Sequence, residues 1–216
     1  SHGAAEKGAA QLAAADSGKR RKEMRRLLRR LGDHGKVRFS SHGGEAAVQA
    51  FEAFLHLEAA GWKGRSGTAL LSLPETAAFA RQAVANRART DGVRIDEVWA
   101  GGALVAALVL FVEGGRVYSW KIAFDEDFAR YSPGAQVALQ SFRTNLASAG
   151  FKGADPLAIP GPAMIEPLWR GRLETGTLLY ASGALGGLKR RLCAADVKME
   201  LSLRRAARAL RKRLAL

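Results

Sequence analysis

The residues best suited to chemistry fall into four short clusters. In the first, Glu58 precedes Gly61-Trp62-Lys63-Gly64. A carboxylate there suits a general base for an attacking amine, which must lose a proton as it bonds to carbon. Trp62 suits an apolar or sugar-stacking wall, with Lys63 beside it. The same residues also describe a structural corner, with Trp62 as a buried anchor and Gly61 as a left-handed helix cap. In the second cluster, Trp120-Lys121, the lysine either binds phosphate or steadies a developing oxyanion, or points outward beside a core tryptophan. The third, Asp125-Glu126-Asp127, offers Asp125 or Asp127 as a proton acceptor and equally suits a solvated acidic loop.

Ser132-Pro133-Gly134 forms the fourth cluster, between an expected strand and an expected helix. A helix start leaves backbone N–H groups unpaired and carries roughly half a positive charge, so it holds a phosphate without Lys or Arg. Gly134 lacks the Cβ that would block close approach, and Ser132 either caps the helix or donates to an oxygen. An ordinary N-cap with proline at the first helical position explains the same three residues. Other chemistries have less footing. His2, His34, His42 and His56 lack the spacing of a metal pair, so no metal site is expected. Cys193, the single cysteine, excludes an internal disulfide and has no evident His partner, and no Gly-x-Ser-x-Gly elbow is present.

Positioning these clusters requires the following elements. Met24, Leu27, Leu28 and Leu31 have helical spacing within the arginine-covered stretch Lys19 to Leu31. Glu45 to Ala60 reads as an amphipathic helix ended by Gly61, and a loop to Gly67 leads into a short strand, Thr68 to Leu73. Pro74 opens a helix to about Thr90. Val93 to Trp99, Ala103 to Phe111 and Arg116 to Phe124 read as an antiparallel meander joined at Gly101-Gly102 and Gly114-Gly115, where positive φ is cheap only for glycine. A helix from Pro133 to Ala149, a strand over Lys152 to Ile159, a short helix after Pro162 and a strand over Thr175 to Ala181 complete the order. The class is α/β (α+β), with a mixed sheet flanked by helices.

The net charge of +14 is unevenly placed. Ten Lys and Arg lie between Lys19 and Arg38 and ten between Lys189 and Arg213, whereas Phe39 to Leu188 holds 13 basic and 14 acidic residues. Basicity therefore sits on two flanking helices, which suit either an anionic partner such as tRNA or a membrane surface, or a solvated face over one packed apolar stripe. Ser1 to Asp16, rich in Ala and Gly, reads as a flexible leader without the order of a secretory signal. The longest apolar run, Ala103 to Val112, is far shorter than the roughly 20 residues of a membrane span. A cytoplasmic protein is expected, with the option of a peripheral position at the inner membrane face. Three regions follow: 1–36, leader and basic helix; 37–183, the main domain; 184–216, a basic C-terminal helix.

The string FLHLEAAGWKGRSGTAL (Phe54 to Leu70), followed by YSWKIAFDEDFARYSPG (Tyr118 to Gly134), resembles the CelD-like acetyltransferase domain of the GNAT superfamily, related to the FemAB double-GNAT enzymes. The resemblance extends over about Val37 to Ala181. It implies a GNAT-like, mostly antiparallel twisted sheet and an acetyl-CoA or other acyl-CoA donor. It also implies direct transfer to an amine or hydroxyl acceptor, with polysaccharide or envelope metabolism as one setting. Glu58, Lys121, Asp125 and Tyr131 become the candidate catalytic groups. Ser132, Pro133, Gly134 and Trp120 become the donor-binding ones, with CoA pyrophosphate at the Ser-Pro-Gly turn. Trp62, Lys63, Asp155 and Trp169 are the acceptor-binding candidates. Such relatives carry a preceding GNAT-like half, so a trimmed member or a fragment is expected. The other class of function compatible with these features is a non-catalytic GNAT-like module tethered through its basic helices.

Overall fold

Short apolar, β-branched runs set off by paired glycines form the strands Val93–Ala100 (β2), Ala103–Glu113 (β3) and Arg116–Phe124 (β4), as expected. In the computed structural model, which describes residues 2–15, 18–158, 168–169, 176, 178–183 and 185–214, they form the centre of one sheet. Its order is β1-β2-β3-β4-β5, with β1 spanning Val37–Gly43 and β5 Gly153–Asp155. The first four strands pair antiparallel, and β4 pairs parallel with β5. Both hairpin joins use positive φ, at +58° and +87° for Gly101-Gly102 and +54° and +82° for Gly114-Gly115.

Seven helices are described: α1 His2–Ala15, α2 Gly18–Leu31, α3 Gly44–Ala60, α4 Trp62–Arg65, α5 Pro74–Ala88, α6 Pro133–Ala147 and α7 Gly186–Leu214. One face of the sheet is covered by α3 and α5, where Phe51, Phe54, Leu55 and Val84 meet Ile95, Ala107 and Val109. The other face places Val98, Leu110 and Val117 with Val137 of α6 and Leu31 of α2. Burial of one such Phe or Leu side chain is worth about 1.5–3 kcal/mol, so these two layers hold the sheet between them. The chain divides into two compact units, Ser1–Arg170 and Gly171–Leu216. In the second, α7 is the principal described element.

Several expectations are corrected. The supposed leader is α1, since its alanines favour helix and Leu12 packs with Phe142 and Leu168 beside α6. Strand β1, with pattern VRFSSHG, has too few apolar residues to announce itself and is defined by pairing along β2 from Val37↔Ala100 to Gly43↔Arg94. Thr68 to Leu73 is no strand; Leu70–Ser72 is a 3₁₀ turn that leads into α5. Gly61 does not adopt the left-handed cap, having φ −87°, because the chain turns straight into α4. The strand expected over Lys152 to Ile159 shrinks to three residues. There the Asp155 carboxylate accepts the Leu157 N–H at 2.8 Å, and this turn directs the chain away from β4. No strand is present at 178–181, and the helix expected after Pro162 lies outside the described residues.

Candidate active site

The short β5 leaves much of β4 without a strand neighbour on that side among the described residues. Pairing with β4 is confined to Arg116↔Gly153, Val117↔Ala154 and Tyr118↔Asp155, and β4 then continues to Phe124 without that neighbour. The Asp125 N–H bonds Val105 O of β3, so by strand alternation Ile122, three residues back, directs its backbone groups to the free edge. Lys63 of α4 donates to the Ile122 carbonyl there at 2.9 Å. A register shift between Val109 and Leu110 of β3 leaves Trp120 as the extra residue of a bulge in β4. This bulge places Trp120 and Lys121 together on the α3 face, where strict alternation would separate them.

Glu58 is the hub on that face. Its side chain is fully buried and accepts from Lys121 at 2.9 Å, Lys63 at 3.1 Å and the Leu70 N–H at 2.9 Å. Burial pushes its carboxyl upward, but the Leu70 amide, Lys121 and Lys63 outweigh this and hold it below the usual carboxylate range. Three of its roughly four acceptor sites are thus taken, two on Oε1 and one on Oε2. Beside it Leu57, Trp62, Ile122 and Phe124 line a recess of about 20 Å³, room for roughly one water. Trp62 itself is 54% exposed, so it is a surface wall and not a buried anchor. Close approach of α4 to α3 requires Gly64, since a Cβ there would sit 1.8 Å from Ala59 O.

On the opposite face, Ser119 is buried and its Oγ has no hydrogen-bond partner among the described residues. It follows directly after the last residue paired with β5. The turn from β4 to α6 passes through a 3₁₀ segment, Glu126–Tyr131, and Ser132, whose φ of +52° and ψ of +50° are left-handed. The first intrahelical bond of α6 runs from Gln136 N–H to Ser132 O at 3.1 Å, so the N–H groups of Gly134 and Ala135 have no intrahelical acceptor. Ser132 makes no capping bond, contrary to one expectation, because its left-handed backbone turns the side chain away from the helix amides. The part of β4 beyond its β5 pairing, the buried Ser119 hydroxyl and the start of α6 thus follow one another along this stretch of chain.

A family model described as an acetyltransferase (GNAT) domain matches residues 18–158. The chain belongs to the GNAT acetyltransferase family. The sheet and helices have the GNAT-like fold, mixed α/β and mostly antiparallel. Among solved structures, a GCN5-related N-acetyltransferase from Ralstonia eutropha is 16% identical, with 67% of this chain and 99% of that one covered and a TM-score of 0.48. An aminoglycoside acetyltransferase from an uncultured soil metagenomic sample is 11% identical, covering 68% and 97%, with a TM-score of 0.47. The PaiA N-acetyltransferase of Thermoplasma acidophilum, in complex with coenzyme A, is 10% identical, covering 51% and 72%, with a TM-score of 0.38. No curated protein matches significantly.

Within this GNAT domain the expected site residues do not all come together. Glu58, Trp62, Lys63 and Lys121 meet at the corner of α3, α4 and β4. Trp120 lies near them but packs against Phe51 and Phe111, with ring centroids 6.2 and 5.2 Å away, as part of the core. Asp125 accepts the Asp127 N–H at 3.0 Å and starts the 3₁₀ segment. Tyr131 is buried with its hydroxyl 2.8 Å from His34 Nε2, packed beside Phe128 and beneath Arg130. Pro133 and Gly134 are buried, while Ser132 and Ala135 are partly exposed. Trp169 stacks edge-on against Phe142 of α6 and Asp155 closes β5, so the four acceptor candidates do not assemble.

Sequence reasoning missed three groups. Glu126, passed over between two aspartates, accepts the Trp62 N–H at 2.8 Å and the Arg65 guanidinium, tying α4 to the β4–α6 turn. Arg94 joins Asp96, Ser141 and Asn145 in a buried network between β2 and α6. Its signal was legible: Arg94 and Asp96, two apart, interrupt one face of an apolar strand. Ser119 had no such signal.

Proposed function

We propose that the protein transfers an acyl group from an acyl-CoA to an amine or hydroxyl acceptor. The observation that carries this reading is that, among the described residues, β4 has no strand neighbour on the β5 side beyond Tyr118, along the stretch that leads to the start of α6. The N–H groups of Gly134 and Ala135 suit the pyrophosphate, and the free edge with Ser119 Oγ suits an amide-bearing arm. In the transfer the acceptor attacks the thioester carbonyl, the C–S bond breaks, and the leaving thiolate takes the proton that the acceptor loses. Lys63 and Lys121 share the single negative charge of Glu58, which leaves one net positive charge near the strand edge to steady a developing oxyanion. Exposed Trp62 suits an acceptor with a flat apolar face, such as a sugar ring of an envelope polysaccharide.

Calorimetric titration with acetyl-CoA, followed by a thiol-release assay over amine and hydroxyl acceptors, tests the proposal. One-to-one binding that survives high salt is expected, and binding that any polyanion reproduces and salt removes would overturn it. A second reading has its own observation. Helix α2 buries Met24, Leu27 and Leu31 but exposes Lys19, Lys22, Arg25, Arg26, Arg29 and Arg30, a face suited to tRNA or another polyanion.

A further inference from the structure

Helix α7 differs from α2 in one respect that matters for partners. Both are basic, but the apolar side of α2 is buried in its own unit, whereas that of α7 is bare. Leu185, directly before α7, and Leu188, Leu192, Met199, Leu203 and Leu210 are each between 58% and 63% exposed. At about 100° per residue these six fall within an arc of roughly 60°. Exposed Lys189, Arg190, Arg191 and Lys198 lie outside that arc. Over its 29 residues α7 carries ten Lys or Arg against Asp196 and Glu200. The result is a helix about 43 Å long with a narrow continuous apolar seam between cationic flanks.

We propose that α7 is an in-plane anchor that docks the protein on an anionic lipid bilayer. A second copy of α7 would cover the seam only by bringing two strongly cationic helices together. A nucleic acid would meet the charge and leave the seam in water. An anionic leaflet satisfies both, taking the leucines into the headgroup–acyl boundary and pairing the lysines and arginines with lipid phosphates. No helix among the described residues is long and apolar enough to cross a membrane, so α7 lies along the surface. The anchor stands apart from the transfer reaction and holds whether or not that reaction is as proposed.

Flotation of the full chain with vesicles tests this, comparing phosphatidylcholine alone with phosphatidylcholine plus phosphatidylglycerol. Binding is expected only to the mixed vesicles. Leu192→Gln with Met199→Gln, which leaves the net charge unchanged, lowers bound protein about ten-fold or more. The control Leu201→Gln removes a leucine that is also exposed but lies outside the arc, and it leaves binding as in the wild type. Cys193, single and exposed on α7, accepts an environment-sensitive dye whose emission shifts to the blue on mixed vesicles. Circular dichroism verifies that each variant is folded. Equal binding of the seam variant and the wild type would overturn the proposal. So would a wild-type dimer in sedimentation that the seam variant abolishes while vesicles bind neither, or tighter binding to an RNA hairpin than to the vesicles that the seam variant leaves unaltered.

Discussion

Replacing Glu58 with Gln separates a structural carboxylate from a catalytic base. The substitution keeps the shape but removes the charge that holds Lys63 and Lys121. Both ammonium groups bond the same oxygen, at 3.1 and 2.9 Å, so they lie about 6 Å apart at most. At an effective dielectric of about 20, their unmasked repulsion is about 3 kcal/mol. Each lysine side chain is 22% exposed, which lets it swing partly toward water and relieves some of this. Loss of one partner from a buried pair costs about 3–5 kcal/mol, so a loss of about 2–4 kcal/mol is expected. Urea unfolding followed by far-UV circular dichroism measures it, and a double-mutant cycle with Lys121→Met should recover at least about 1 kcal/mol of it. A loss under about 1 kcal/mol, or unchanged stability with transfer abolished, would refute the structural assignment and return Glu58 to the role of base.

The depressed carboxyl of Glu58 also sets a pH dependence. Its folded pKa lies below the ordinary 4.5, so its contribution is complete above that value and disappears as the pH falls through the lowered folded value. Acid titration of stability should therefore be flatter in Glu58→Gln than in the wild type. Gly64→Ala drives a Cβ into the Ala59 carbonyl and should destabilise by about 2 kcal/mol or more in the same urea assay, by displacing α4. Ala135→Asp puts a carboxylate at the partly exposed start of α6 and should weaken acetyl-CoA binding about ten-fold or more in calorimetry without loss of fold. Unaltered affinity would move the phosphate away from this turn.

The central meander was legible because β2 to β4 are apolar runs of strand length set off by paired glycines, where local chemistry and tertiary structure agree. Strand β1 was not, because its burial comes from pairing with β2 and not from its own side chains. The site was legible as a set of residues but not as a set of roles. Lys121 could be noticed beside Trp120, yet only the bulge decides which face it takes. Glu58 meets Lys121 across 63 positions of sequence, a contact no local pattern encodes. The residues grouped as acceptor-binding failed to assemble because Trp169 follows α6 onto the opposite side of the sheet.

A strand edge without a strand neighbour is open to the strand of another molecule, and Lys63 bears on that hazard. Its ammonium occupies the Ile122 carbonyl, one of the acceptors that an intruding strand would need. A cation on an edge and a bulge within it are both features that discourage sheet-to-sheet association, and β4 has the two within a few residues, at Lys63's contact and at Trp120. Removal of Lys63 exposes the protein to association through β4 even where the fold of the single molecule survives.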